Sequence, residues 1–195
     1  QETDTEKLGA VGAIWNAYSK KKFDTTTFIV GADNFAPDLD LNGMLSLHRK
    51  FKSQATIALH RMADHPQLHK FGVAVLEKNR IVGFQEKPKP GTEKSDLVST
   101  AIYIVEPRFF KEHLPKYMEE KRSKGEKPDN LGELWRSMVG WGENVCGFVF
   151  DEFWSDIGSL EGYLESNRAV MSGRGNLVSK SSKISKNAIL NSPVF

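Results

Sequence analysis

A single cysteine, Cys146, in a chain of 195 residues leaves no partner for an intrachain disulfide and fits a reducing compartment. Its neighbours Val145, Phe148 and Val149 are apolar, so the thiol reads as a core group and not a reactive one. No apolar run approaches the ~20 residues that a membrane-spanning helix needs. The N-terminus is polar and lacks the apolar h-region of a signal peptide, and the first residue is Gln1 instead of Met, as in a trimmed or processed chain. Charge of one sign is missing too. The 27 Lys and Arg against 25 Asp and Glu leave a net charge of +2 with the signs interspersed, which excludes the electrostatic footprint of a nucleic-acid or membrane binder. These absences predict a cytoplasmic protein with no nucleic acid and no membrane among its partners. What is present, 39% apolar and 27% charged residues, is ordinary for a globular domain, and the length can bury one sizeable core.

Apolar periodicity divides the chain into alternating elements. Leu8, Val11, Ile14, Trp15 and Tyr18 recur at helical spacing over residues 8–22, and Phe28-Ile29-Val30 is a short buried strand ending at Gly31. A helix is predicted over Leu41–Phe51, a strand over Ala55–Leu59, and a hairpin from Val73–Leu76 and Ile81–Phe84 about Glu77-Lys78-Asn79-Arg80. Lys87-Pro88-Lys89-Pro90-Gly91 must be loop, because two prolines exclude regular hydrogen bonding. Then follow a strand over Ala101–Val105, a helix from Pro107 through Tyr117, a charged surface turn over Lys121–Asp129 and a helix over Leu131–Val139. A strand over Val145–Phe150 and a helix over Ser159–Met171, with Ser159 as N-cap, complete the series. The alternation predicts an α/β domain with a mainly parallel, Rossmann-like sheet, the hairpin adding some antiparallel pairing. Beyond it, Val178, Ile184 and Leu190 fall at intervals of six, the rhythm of a hexapeptide-repeat parallel β-helix. The predicted division is residues 1–173 as the α/β domain and 174–195 as the start of a left-handed β-helix.

Two aspartates carry the chemistry. Asp33, in Val30-Gly31-Ala32-Asp33-Asn34, follows the apolar run Thr27–Val30; Asp156, in Trp154-Ser155-Asp156-Ile157-Gly158, follows Val145–Phe150. Carboxylates at the exits of two neighbouring strands form a hard-oxygen site suited to Mg²⁺ carrying a phosphorylated substrate. Either alone reads as a turn or helix cap, and only a fold could join residues so far apart. Other clusters carry less. His60, His65 and His69 are interrupted by Pro66 and read as a solvated loop. Asp38-Leu39-Asp40 resembles the Asp-x-Asp of nucleotide-sugar glycosyltransferases, but its acids also suit the start of the helix at Leu41.

Read in order, six segments are similar to the motifs of the sugar-nucleotidyltransferases, also called nucleotide-sugar pyrophosphorylases. They are Leu8-Gly9-Ala10-Val11-Gly12-Ala13, Val30-Gly31-Ala32-Asp33-Asn34, Phe71-Gly72-Val73, Gln85-Glu86-Lys87-Pro88, Ser99-Thr100-Ala101-Ile102-Tyr103 and Trp154-Ser155-Asp156-Ile157-Gly158. The resemblance implies a sugar 1-phosphate attacking the α-phosphorus of a nucleoside triphosphate to give an NDP-sugar and pyrophosphate. It implies Mg²⁺ held by Asp33 and Asp156. Glu86 and Lys87 would meet the sugar and its phosphate, with Lys87 counted beside the aspartates as catalytic. Gly72 would let the backbone approach the sugar, Leu8, Gly9 and Gly12 would lie beneath the base, and Asn34 and Thr100 would complete the substrate contacts. Two departures stand out. The family's opening strand and glycine-rich loop with arginine and lysine are missing, so catalysis by this chain unaided is not expected; the loop would lie on a missing or separate segment, and the expected partner is a second copy of the chain or a complementing N-terminal fragment. Ala101 stands where the family usually has glycine, and Ser99 where it often has asparagine. A non-catalytic nucleotide-sugar-binding subunit, or a glycosyltransferase using Asp38 and Asp40, are the alternatives.

Overall fold

The structure, a computed structural model, describes residues 9–63 and 65–172. Leu8 and the hexapeptide-spaced segment at 174–195 therefore lie outside the described residues. In chain order the elements are α1 (Gly9–Lys20), β1 (Thr27–Val30), β2 (Asn34–Phe35), α2 (Leu41–Phe51), β3 (Ala55–Arg61), β4 (Gly72–Glu77), β5 (Arg80–Glu86), β6 (Leu97–Val105), α3 (Leu114–Ser123), α4 (Leu131–Gly140), β7 (Val145–Phe150), β8 (Ser155–Asp156) and α5 (Leu160–Ser172). A short 3₁₀ turn at Leu68–Lys70 precedes β4, and a π turn at Phe109–His113 leads into α3.

Six strands form one sheet in the order β1-β6-β3-β7-β5-β4. The expectation of a mainly parallel sheet is corrected here. Among the described residues only β3 and β7 pair in parallel, while β6 runs antiparallel to both β1 and β3, and β5 antiparallel to β4 and β7. The physical reason is the placement of the nine-residue β6, which inserts between β1 and β3 and so separates strands that point the same way. The architecture is α/β with a mixed sheet.

Alternation along the strands sends side chains to two faces. On one, Ile57, Leu59, Tyr103 and Val105 pack with Val11 of α1, Leu114 and Tyr117 of α3, and Leu134, Trp135 and Met138 of α4. On the other, Ala58, Ile102 and Ile104 pack with Met44 of α2 and Phe150. Cys146 is 1% exposed, and burial pushes its thiol pKa up, as expected of a core group that stays protonated and unreactive.

The register slips where β6 passes β3. Ile57 pairs with Tyr103 but Leu59 with Ser99, so three residues of β6 (Thr100, Ala101, Ile102) face the single Ala58. Bulges of this kind bend a strand and re-aim its side chains. A β4–β6 pairing at Val73 and Val98 places Gly72 beside the same bulge. The bulge also explains why β6 extends four residues before the strand start expected at Ala101: the alternation is broken there.

Candidate functional site

The two aspartate pentads meet. Neither two-residue strand has a periodicity of its own, yet β2 and β8 pair antiparallel, with Asn34 opposite Asp156 and Phe35 opposite Ser155. The Ile157 N–H donates to the Asp33 carbonyl at 2.8 Å, and the Trp154 indole N–H donates to Asn34 Oδ1 at 2.9 Å. Both carboxylates are oriented locally: Asp33 Oδ1 accepts from Asn34 Nδ2 and Asp156 Oδ1 from the Gly158 N–H, each at 2.9 Å. Gly31 makes the first turn possible, because a Cβ there would lie 2.8 Å from Asn34 Nδ2 and 3.1 Å from both the Ala101 methyl and Asp33 Oδ1. Asn34 is thus the tie between the pentads and does not line the cavity they border.

That cavity, of about 730 Å³, is walled by Asp33, Asp156, Glu86, Lys87, Gly72 and Ala101 among others. Among the described residues no cluster of three or more His, Cys, Asp or Glu could cage a metal. Two exposed carboxylates bordering one cavity nevertheless fit Mg²⁺, which takes one or two protein carboxylates and completes its octahedron with water and substrate phosphates. Asp33 and Asp156 are the residues that would hold it.

Glu86 ends β5 at the cavity wall, and its Oε1 accepts from Asn130 Nδ2 at 3.0 Å. Lys87 adopts a left-handed backbone (φ +43°) and its N–H donates to the Phe71 carbonyl at 3.2 Å. A non-glycine residue in that region stores strain, which persists where the surroundings over-determine it. Lys70, in the turn before β4, also lines the cavity and was not anticipated. Nor was Asn130, although Asn130 followed by Glu133 has the spacing of an N-cap with its capping-box acid.

Thr100 departs from expectation. It is wholly buried, and its hydroxyl donates to the Ala58 carbonyl at 3.0 Å, stapling the bulge. The bulge turns Ser99 and Ala101 to the cavity instead. Ala101 sits in the left-handed region at φ +55°, the conformation in which glycine is unstrained, and its carbonyl accepts the Gly31 N–H at 2.8 Å. Left-handed backbone costs a non-glycine residue about 1–2 kcal/mol, and glycine returns ~0.4–1 kcal/mol of that through the unfolded chain. Ala101→Gly is therefore expected to stabilise the fold by about 0.5–1 kcal/mol in urea unfolding, while removing a methyl from the cavity wall. A loss of stability would mean that the methyl's packing outweighs the strain.

Gly9 (φ +53°) lies against Asp129, where a Cβ would come 2.6 Å from the backbone oxygen; Asp129 borders the cavity but Gly9 and Gly12 do not. Asp40 caps α2, its Oδ1 accepting from the Gly43 N–H at 2.8 Å, and neither Asp38 nor Asp40 borders the cavity. The histidines do not converge on it either. His60 is wedged between the rings of Phe150 and Trp154, at centroid distances of 5.1 and 5.6 Å. Burial lowers its pKa, opposed by the Phe150 backbone and by the Asp151 and Glu152 charges. Protonation thus favours the unfolded chain, so stability is retained above the unfolded pKa of about 6.5 and declines as pH falls below it. His60→Phe is expected to flatten the pH dependence of the urea midpoint between pH 7.5 and 5.5. An unchanged slope would reject the assignment.

A family model described as nucleotidyl transferase matches residues 1–173. The chain is 30% identical over 166 residues to a UTP--glucose-1-phosphate uridylyltransferase of Synechocystis sp., covering 85% of this chain and 40% of that protein. It is 32% identical over 130 residues to a glucose-1-phosphate adenylyltransferase of Thermosipho africanus, covering 66% of this chain and 30% of that protein. Among solved structures, apo UDP-glucose pyrophosphorylase superposes with a TM-score of 0.70 at 23% identity, over 87% of this chain and 62% of that one. The UDP-glucose complex of a UDP-glucose pyrophosphorylase gives 0.68 at 22%, over 85% and 63%. The chain thus spans 30–40% of these curated relatives, and about three fifths of the solved chains.

Proposed function

Because the chain belongs to the nucleotidyl transferase family, we propose that it is the sugar-phosphate half of a sugar-1-phosphate nucleotidyltransferase of the glucose 1-phosphate type. The reading rests on one observation: the β2–β8 pairing sets Asp33 and Asp156 on the wall that also carries Glu86 and Lys87. In the reaction a phosphate oxygen of the sugar 1-phosphate bonds to the α-phosphorus of a nucleoside triphosphate. The bond to the bridging oxygen breaks, and pyrophosphate leaves with the electron pair.

The protein's part in such chemistry is positioning and charge compensation. Glu86 accepts hydrogen bonds from sugar hydroxyls, and the ammonium groups of Lys87 and Lys70 offset phosphate charge. Gly72 lets the Phe84 ring and the Glu86 carboxylate pack against the backbone at the cavity wall, where a Cβ would come 2.7 Å from Phe84 Cζ. Asp33 and Asp156 would hold Mg²⁺, which would supply positive charge against the phosphate oxygens. The buried Cys146 accords with a cytoplasmic setting. Among the described residues β1 is an edge strand, with Phe28 and Val30 38% and 55% exposed, which accords with association with another chain.

The test is to supply the chain with Mg²⁺, glucose 1-phosphate and UTP or ATP, follow pyrophosphate release, and in parallel titrate UDP-glucose and ADP-glucose calorimetrically. Mg²⁺-dependent binding of an NDP-glucose supports the reading. Binding without turnover fits both this half-enzyme and the non-catalytic subunit, which turnover on adding a complementing N-terminal fragment separates; neither binding nor turnover overturns both.

A further inference from the structure

Glu86 is a flexible side chain at a cavity wall, so something must hold its carboxylate still for it to discriminate sugars. We propose that Asn130 is that positioning residue, an inference that rests on the function proposed above. Asn130 Nδ2 donates to Glu86 Oε1 at 3.0 Å, while its Oδ1 accepts the Glu133 N–H at 3.1 Å as N-cap of α4. The amide cannot flip. Reversal would set two oxygens against each other at Glu86 and two N–H groups against each other at Glu133.

The residue itself is anchored, since its carbonyl accepts the hydroxyl of Tyr117, which is 1% exposed, at 3.0 Å. Two glycines make the berth. A Cβ on Gly132 would meet Glu86 Cδ at 2.5 Å, and one on Gly72 would meet Glu86 Oε2 at 3.1 Å. The first turn of α4 also favours a carboxylate through the helix dipole. With one acceptor site of Oε1 taken by Asn130, the remaining acceptor sites of the carboxylate are presented in a fixed direction to the cavity. Asn130, itself at the cavity wall, thereby sets the affinity for the sugar through Glu86.

Asparagine, aspartate and serine are nearly equivalent N-caps, so cap and donor can be separated. Asn130→Ser keeps the cap and loses the donor, Asn130→Asp keeps the cap and opposes Glu86 with a like charge, and Gly132→Ala fills the berth. Glucose 1-phosphate and UDP-glucose are titrated into the full chain with Mg²⁺, and Tm is measured for each variant. Losing a hydrogen bond to a charged group is expected to weaken binding about tenfold in N130S and about a hundredfold in N130D, with G132A weakened alike and Tm nearly unchanged in N130S. N130S/E86A binds no more weakly than E86A alone. Wild-type affinity in both Asn130 variants, with E86A weakened, overturns the proposal while sparing the proposed function. If the unaltered chain binds neither probe, the proposed function fails on its own, and unfolding constants decide the contact. Coupling of about fivefold between N130S and E86A then upholds it, and additivity within about twofold overturns it.

Discussion

The double variant D33N/D156N is expected to lose Mg²⁺-dependent affinity for NDP-glucose by about a hundredfold or more, since a bound metal supplies several kcal/mol of phosphate stabilisation. The substitutions keep shape. An asparagine Oδ1 can still accept the Gly158 N–H at position 156, and at position 33 it can still accept from Asn34 Nδ2. Folding is therefore spared while both formal charges are removed. Each single variant loses most of the Mg²⁺ response, because one carboxylate exposed to water is a weak ligand. Affinity measured with and without Mg²⁺ separates this loss from a general weakening. Retention of the full response in the double variant would remove the metal from both positions.

The largest effect on stability is expected from Trp135→Ala. Trp135 is fully buried in the layer where α4 meets the sheet, its ring 4.8 Å from that of Tyr103 and 5.4 Å from that of Phe109. Truncating a buried aromatic costs about 3–5 kcal/mol, a large share of the ~5–15 kcal/mol that holds a typical domain together. Urea unfolding followed by far-UV circular dichroism measures it. Trp135→Phe keeps a ring in place and is expected to cost much less. The consequence reaches the site, because Tyr103 borders the cavity and α4 carries Asn130 and Gly132 at its start. A cost near 1 kcal/mol for the alanine variant would mean that the neighbouring rings collapse into the space.

Much of this is legible in the sequence. Long periodic segments such as Leu41–Phe51 and Val145–Phe150 fell at their expected bounds, because an amphipathic stripe or a continuous buried run is written locally. The pentads around Asp33 and Asp156 could be singled out because each closes an apolar run. Their joint site is legible only through the family resemblance, and the β2–β8 pairing that joins them is not, since a two-residue ladder leaves no pattern and its strands are joined only by the completed sheet. Strand direction was likewise hidden, and the position of β6 between β1 and β3 turned an expected parallel sheet into a mixed one. Thr100, which the motif resemblance implies as a substrate contact, is buried against Ala58 because the bulge turns Ser99 and Ala101 to the cavity instead. Asn130 escaped notice as a site residue because its link to Glu86 spans 44 positions and depends on where α4 starts. Patterns along the chain reveal faces and ends of elements; contacts between ends of different elements need the fold.

The claim on which the rest depends is that Asp33 and Asp156 share one divalent cation. Titrating the chain with Mn²⁺ as a spectroscopic substitute for Mg²⁺, and counting free Mn²⁺ by electron paramagnetic resonance in the presence of UDP-glucose, tests it directly. One bound ion is expected in the unaltered chain, with marked weakening in D33N and in D156N alike. Undiminished Mn²⁺ binding in either single variant would contradict it.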